Sequence, residues 1–220
     1  RNQLDIALRR LEKSEKLLSA ETKYRDALRL LQNPTIRSAF AIGDEPDAIR
    51  EEYGRTKIGG RCLLARRLVE AGVRLVTVDC RWWDTHVKGH ETMRDGFLPR
   101  WDQAYTALLQ DLEERGLMDR VMVIAWGEFG RSPKVNATGG RDHYPGVFSA
   151  AMCGGGIQGG AVIGSSDAKG ALPKDRPIRP QDVLATMYRH LGVDTEKQYT
   201  DFAGRPHPVL PFGDPIEELF

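Results

Sequence analysis

The side chains able to do chemistry crowd into three short stretches. The first runs Asp79-Cys80-Arg81-Trp82-Trp83-Asp84-Thr85-His86-Val87-Lys88-Gly89-His90-Glu91, with one aspartate and two histidines between positions 84 and 90. The second is Gly127-Glu128-Phe129-Gly130-Arg131, and the third is Gly139-Gly140-Arg141-Asp142-His143-Tyr144-Pro145. Asp84, His86, Glu128 and His143 are the leading candidates for metal ligands, with His90 and Asp142 as further candidates. Neutral imidazole mixed with carboxylate suits Zn, Mn or Fe, and hydrolytic metal sites collect such ligands from several loops.

Each candidate has a plainer reading beside it. Histidines in loops commonly serve as surface hydrogen-bonding groups. The His86-x-x-x-His90 spacing would face two imidazoles together on a helix, but Gly89 weakens a helix there. Asp142 lies close to Gly140, and aspartate in such surroundings often only shapes a turn. The guanidinium forks of Arg131 and Arg141 suit phosphate or sulfate oxygens, or equally a structural pair with Glu128 or Asp142. His190 falls in the last turn of an expected helix, where it suits the helix dipole, and His207 reads as a surface residue.

No credible nucleophile accompanies this cluster. The chain has no G-x-S-x-G elbow, no P-loop and no H-E-x-x-H. Ser132 is the one serine close by, and no base is obviously paired with it. Gly154-Gly155-Gly156-Ile157-Gln158-Gly159 fits the dinucleotide fingerprint G-x-G-x-x-G, but that fingerprint needs a helix to open at its end. The residues that follow, Gly160-Ala161-Val162-Ile163-Gly164, read as a short strand. A glycine-rich turn between two strands is the better reading, and no nucleotide is expected.

The elements that must position these loops follow from periodicity. Leu4, Leu8, Leu11 and Leu18, then Tyr24, Ala27, Leu28 and Leu31, recur at helical spacing up to Asn33-Pro34. Pro34 and Pro46 each open a short helix, ending near Phe40 and Tyr53. Helices are expected from 58 to 71, from 98 to 115 and from 180 to 190, stopped by Gly72, Gly116 and Gly192. Strands are expected at Val73–Val78, Val121–Trp126, Val147–Met152 and Ala161–Gly164. The tail from Asp201 is expected to lie extended over the surface. Helix alternating with strand over short joins predicts an α/β fold with a parallel sheet, whose ligands bind outside the strand ends. Residues 1–56 read as a helical segment of the same larger domain, and 57–220 as the α/β portion carrying the site.

Composition narrows the function classes. Thirty-two basic residues against thirty-one acidic leave a net charge of +1, so no strong field recruits nucleic acid or an anionic membrane. No run of eighteen apolar residues occurs, so no membrane-spanning helix is expected. Cys62, Cys80 and Cys153 are too few and too scattered for a disulfide framework or a zinc knuckle, and read as buried free thiols. The chain opens on Arg1, with helical pattern from Leu4 and no signal peptide, so it is expected to be a piece of a longer protein.

The motifs also carry a resemblance. Trp83-Asp84-Thr85-His86, Gly127-Glu128-Phe129-Gly130-Arg131-Ser132-Pro133 and Gly140-Arg141-Asp142-His143-Tyr144-Pro145 resemble a bacterial family of sulfatase-like proteins built on a domain of unknown function. The likeness continues through Cys153-Gly154-Gly155-Gly156, Gly204-Arg205-Pro206 and the ending Pro215-Ile216-Glu217-Glu218-Leu219-Phe220. That family looks like a branch of the alkaline phosphatase and sulfatase superfamily. The resemblance implies the C-terminal portion of a three-layer α/β sandwich around a metal site, in an exported or periplasmic protein. It places Asp84 and His86 on the first ligand loop, Glu128 at the second carboxylate and His143 at the downstream histidine. Phe129 stands where a second-site histidine is usual, which favours one metal over two, with Zn, Mn, Ca and Mg all open. It also puts the nucleophile in the N-terminal half of the fold, outside this chain. The expected function is hydrolysis of a small anionic phosphate or sulfate ester. The alternative is a non-catalytic structural or binding relative that keeps the fold.

Overall fold

The computed structural model describes residues 21–25, 32–81 and 83–220. The leucine pattern expected over positions 4–18 lies outside the described residues, as do Ala27, Leu28 and Leu31. Helix α1 (Pro34–Ala39) is opened by Asn33, whose Oδ1 accepts from the Thr35 amide at 2.9 Å. Helix α2 (Asp47–Glu52) leads into α3 (Lys57–Glu70), capped by Thr56 Oγ1 accepting from the Gly59 amide at 3.2 Å. A single helical turn, α4 (Gly89–Thr92), passes through a π-helical turn (Met93–Phe97) into α5 (Leu98–Glu114). The last helix, α6 (Pro180–Leu191), has proline in its first turn and ends at Gly192 with φ +67°. Apart from α4, where Gly89 argued against a helix, these match the expected helices to within a residue or so, because the signals that start and stop them (Asn33, Thr56, the prolines and Gly192) are local.

Helices α3 and α5 pack together over Tyr53, Cys62, Leu63, Ala104, Ala107, Leu108 and Leu112, the larger of two buried clusters. Arg66 sits inside that interface at 2% exposure, ion-paired to Glu45 at 2.9 Å, Asp111 at 2.8 Å and Glu70 at 2.5 Å. Tyr53 donates to Asp111 at 2.8 Å. Burying a guanidinium is tolerable only because carboxylates surround it. The second cluster gathers Val183 of α6 with Ile216 and Leu219 from the end of the chain.

The strands depart from expectation. The described residues contain four two-stranded sheets, every one antiparallel, in place of the expected parallel sheet. Strand β1 (Val123–Ala125) pairs with β4 (Ala151–Cys153), Val123 opposite Cys153. Strands β2 (Gly130–Arg131) and β3 (His143–Tyr144) form a minimal ladder at the candidate site. Further along, β5 (Ser165–Ser166) pairs with β6 (Pro173–Asp175), and β7 (Gln198–Thr200) with β8 (Pro206–Pro208). Val73–Val78 forms no ladder, and Leu75 is 59% exposed, so it is not the buried strand its composition suggests. Ala161–Gly164 is likewise outside any strand, with Val162 93% exposed. Nor does the tail simply lie across the surface. It turns back in the β7–β8 hairpin and then buries Ile216, at 2% exposure, in the second cluster.

All three cysteines are free, and burial pushes the Cys62 thiol up to about 12. Only Cys62 is fully buried; Cys80 and Cys153 are half-buried. Among the described residues, no helix is long and apolar enough to cross a membrane.

Candidate metal centre

Asp84 stands at the centre of the site. Its Oδ1 lies 2.9 Å from His86 Nε2, 2.9 Å from His143 Nε2 and 2.7 Å from Arg131 Nη1. Asp84, His86 and His143 each offer a ligand atom, all within 4.8 Å of one another, close enough that the three could hold one metal ion. The imidazoles of His86 and His143 pack at a centroid distance of 4.8 Å, and the Phe129 ring packs on His143 at 4.5 Å. Hydrogen bonding to His143 and then to Arg131 holds the Asp84 carboxyl down at about 2. It is therefore a full anion at any physiological pH.

Two local structures deliver these groups. In the β2–β3 ladder, Arg131 is directly opposite His143, so both side chains leave the same face and reach the same carboxylate oxygen. Gly130 makes that ladder possible, since a Cβ there would meet the Val147 carbonyl oxygen at 2.0 Å. The other structure is a clasp between the 84–89 loop and the 136–141 loop. Val87 bridges Gly139, the Lys88 amide donates to Thr138 O at 3.0 Å, and the Gly89 amide donates to Gly139 O at 2.9 Å. The Arg141 amide donates to Thr85 O at 3.1 Å.

Asn136 ties the clasp together. Its Oδ1 accepts from the Thr138 amide, the Thr138 hydroxyl and the Gly140 amide, all at 2.8–3.0 Å. Its Nδ2 donates to His86 O and to Asp142 Oδ1, each at 3.0 Å. Thr138 Oγ1 adds a second bond to His86 O at 2.7 Å. The sequence reading missed Asn136. An Asn-x-x-Gly-Gly run signals a turn, and nothing in it says which loop the turn will grip.

The other candidates fall into place around the triad. Asp142 does not join the ligand cluster; its Oδ1 meets His86 Nδ1 at 2.9 Å. His86 and then Asn136 hold the Asp142 carboxyl below its usual range. Glu128 is exposed and outside the cluster. His90 is exposed on α4, while His86 precedes that helix, so the two do not share a helical face. Arg141 Nη1 donates to the carbonyls of Ser132 and Pro133 at 2.7 and 2.6 Å, bracing the loop after β2. Ser132 Oγ donates to Lys134 O at 2.7 Å and accepts from the Asp142 amide at 3.1 Å, a loop-holding role. Gly154, Gly155 and Gly156 all adopt positive φ, and no helix opens after them, so the glycine run lacks the element the dinucleotide fingerprint needs.

A family model described as a protein of unknown function, DUF1501, matches residues 1–220. The chain belongs to that family. No curated protein and no solved structure matches it. The family description carries no activity, so the chemistry of a DUF1501 site has to be argued from side chains such as Asp84, His86 and His143.

Proposed function

We propose that Asp84, His86 and His143 bind one divalent metal ion, and that the site serves hydrolysis of a phosphate or sulfate ester. One observation carries the metal reading: two imidazole Nε2 atoms and a guanidinium converge on a single carboxylate oxygen. The same ring nitrogens and carboxylate oxygen, brought within 4.8 Å of one another, form a donor set that a metal ion can take. Such an ion uses the lone pairs of both rings. The donor set, two imidazoles and a carboxylate, suits zinc or manganese. A bound metal would polarise an ester oxygen. Arg131, beside the cluster, has the fork that matches sulfate or phosphate oxygens.

Two features support one metal rather than two. Glu128 is exposed and outside the triad, and Phe129, which offers no ligand atom, packs its ring on His143. The three-layer sandwich is part of the same proposal. Its support is local: Val123 of β1 packs on the α3–α5 cluster, and the next residue, Ile124, packs on the α6 cluster. The β1–β4 ribbon therefore has helices against both faces. On this reading the nucleophile comes from another part of the protein.

Metal content by elemental mass spectrometry tests the proposal, using the protein and an Asp84→Ala/His143→Ala double variant. The expected result is close to one transition metal per chain, lost in the variant. No metal in either sample would sink the reading and leave the cluster structural, which is where the non-catalytic alternative begins. With metal present, turnover of a chromogenic phosphate or sulfate ester tests the hydrolase half, and His143→Ala should abolish it.

A further inference from the structure

We infer that Asp142, braced by Asn136, is the positioning residue of His86; this rests on the metal reading above. The two nitrogens of His86 are both engaged, and by different partners. Nδ1 lies 2.9 Å from Asp142 Oδ1, and Nε2 lies 2.9 Å from Asp84 Oδ1. A carboxylate can only accept. Both nitrogens therefore face acceptors, and a neutral ring has one hydrogen to give; a metal in the triad takes the Nε2 lone pair and leaves that hydrogen on Nδ1, facing Asp142. That is the tautomer a metal takes, and an outer carboxylate on the far nitrogen is how metal-binding histidines are usually held.

Asp142 is fixed well enough to do this. Its Oδ1 accepts a second bond from Asn136 Nδ2 at 3.0 Å. Its amide donates to Ser132 Oγ at 3.1 Å, and its carbonyl accepts from the Ser132 amide at 2.8 Å. The Asn136 that steadies the carboxylate also grips His86 O, so ring and carboxylate are referred to one anchor. Asp142 is thus an outer partner of the site, and its contribution passes through His86.

Two measurements test the inference, one of which needs no metal. Long-range 1H–15N correlation on the metal-free protein at alkaline pH should show the His86 hydrogen shared between Nδ1, facing Asp142, and Nε2, facing Asp84. Asp142→Ala should move it towards Nε2, while Asp142→Asn, which keeps an acceptor oxygen, should preserve the original pattern. Zinc affinity by competition with a chromophoric chelator should fall about 10- to 100-fold in Asp142→Ala and less in Asp142→Asn. Zinc bound equally well by Asp142→Ala, with the tautomer unchanged, would overturn the inference and leave the metal site standing. A protein that binds no zinc at all would remove the metal reading, and the tautomer of the Asp142→Ala protein would then decide the positioning role alone. Should the alanine variant fail to fold, the asparagine variant carries the test: a tautomer switched in it would also overturn the inference.

Discussion

Gly140 leaves no room for a side chain. A Cβ there would sit 2.1 Å from the carbonyl carbon and oxygen of His86 and 2.5 Å from the Thr85 carbonyl oxygen. Gly140→Ala must therefore push apart the two loops that hold the triad, a strain of about 1–3 kcal/mol by analogy with overpacked cores. The expected outcome is a lowered melting temperature together with weakened zinc binding in a chelator competition. Wild-type values for both would mean that the 84–89 loop yields without consequence. Asp84, His86 and His143 were legible from the chain, because few roles use two imidazoles and a carboxylate in neighbouring loops. Asn136 and Gly140 were not. Their importance arises from which backbone lies across from them, and that is decided by tertiary closure. Asp142 was legible as a participant but its contact was not, since nothing in the chain says that its carboxylate meets His86 Nδ1.

At the scale of elements, the α3–α5 pair is secured by charge as well as by apolar area. Burial raises the Glu45 carboxyl, but Arg66 and then Arg67 outweigh it, and the net shift is downward. A carboxyl depressed in the folded state stabilises above its unfolded value and loses that contribution as pH falls through the folded one. Melting temperature should therefore decline as pH drops from about 5 towards about 3. Glu45→Gln should melt lower at neutral pH and show a shallower acid decline; a slope identical to wild type would take Glu45 out of the acid response. Helices were the readable elements because caps, stops and apolar spacing are all local. Strands were read poorly for the opposite reason. Val73–Val78 has strand composition, yet a strand exists only when another backbone pairs with it, and partner choice is not written in the run itself.

At the scale of the molecule, the β1–β4 ribbon is two strands wide and lies between two helical clusters. The 73–80 segment joins no ladder, and Leu75 is 59% exposed on it. Such a segment invites pairing with another chain, and a charge on it discourages that. The 220-residue chain alone should self-associate and bind a hydrophobic dye, and Leu75→Lys should reduce both. A cooperative thermal transition with low dye binding in the unmodified chain would overturn this. The mixed α/β class was visible in the alternation of helical and β-branched runs. The antiparallel pairing was not, because β1 and β4 are joined across a long excursion, 126–150, that carries Arg131, Asn136 and His143.

The β2–β3 ladder makes chain length a chemical variable. Arg131 and His143 reach Asp84 together because they are paired rung to rung, across a loop whose own bonds (Ser132 amide to Asp142 O at 2.8 Å, Asn136 amide to Gly140 O at 2.9 Å) tie its length to that register. One residue more or fewer, with the loop's own bonds kept, would slip the pairing by one position, turn the imidazole to the opposite face and present a neighbour in its place. The count from 131 to 143 should then behave as part of the site. Relatives that retain the triad are expected to accumulate insertions and deletions elsewhere, in stretches such as 158–164, and to hold this interval constant.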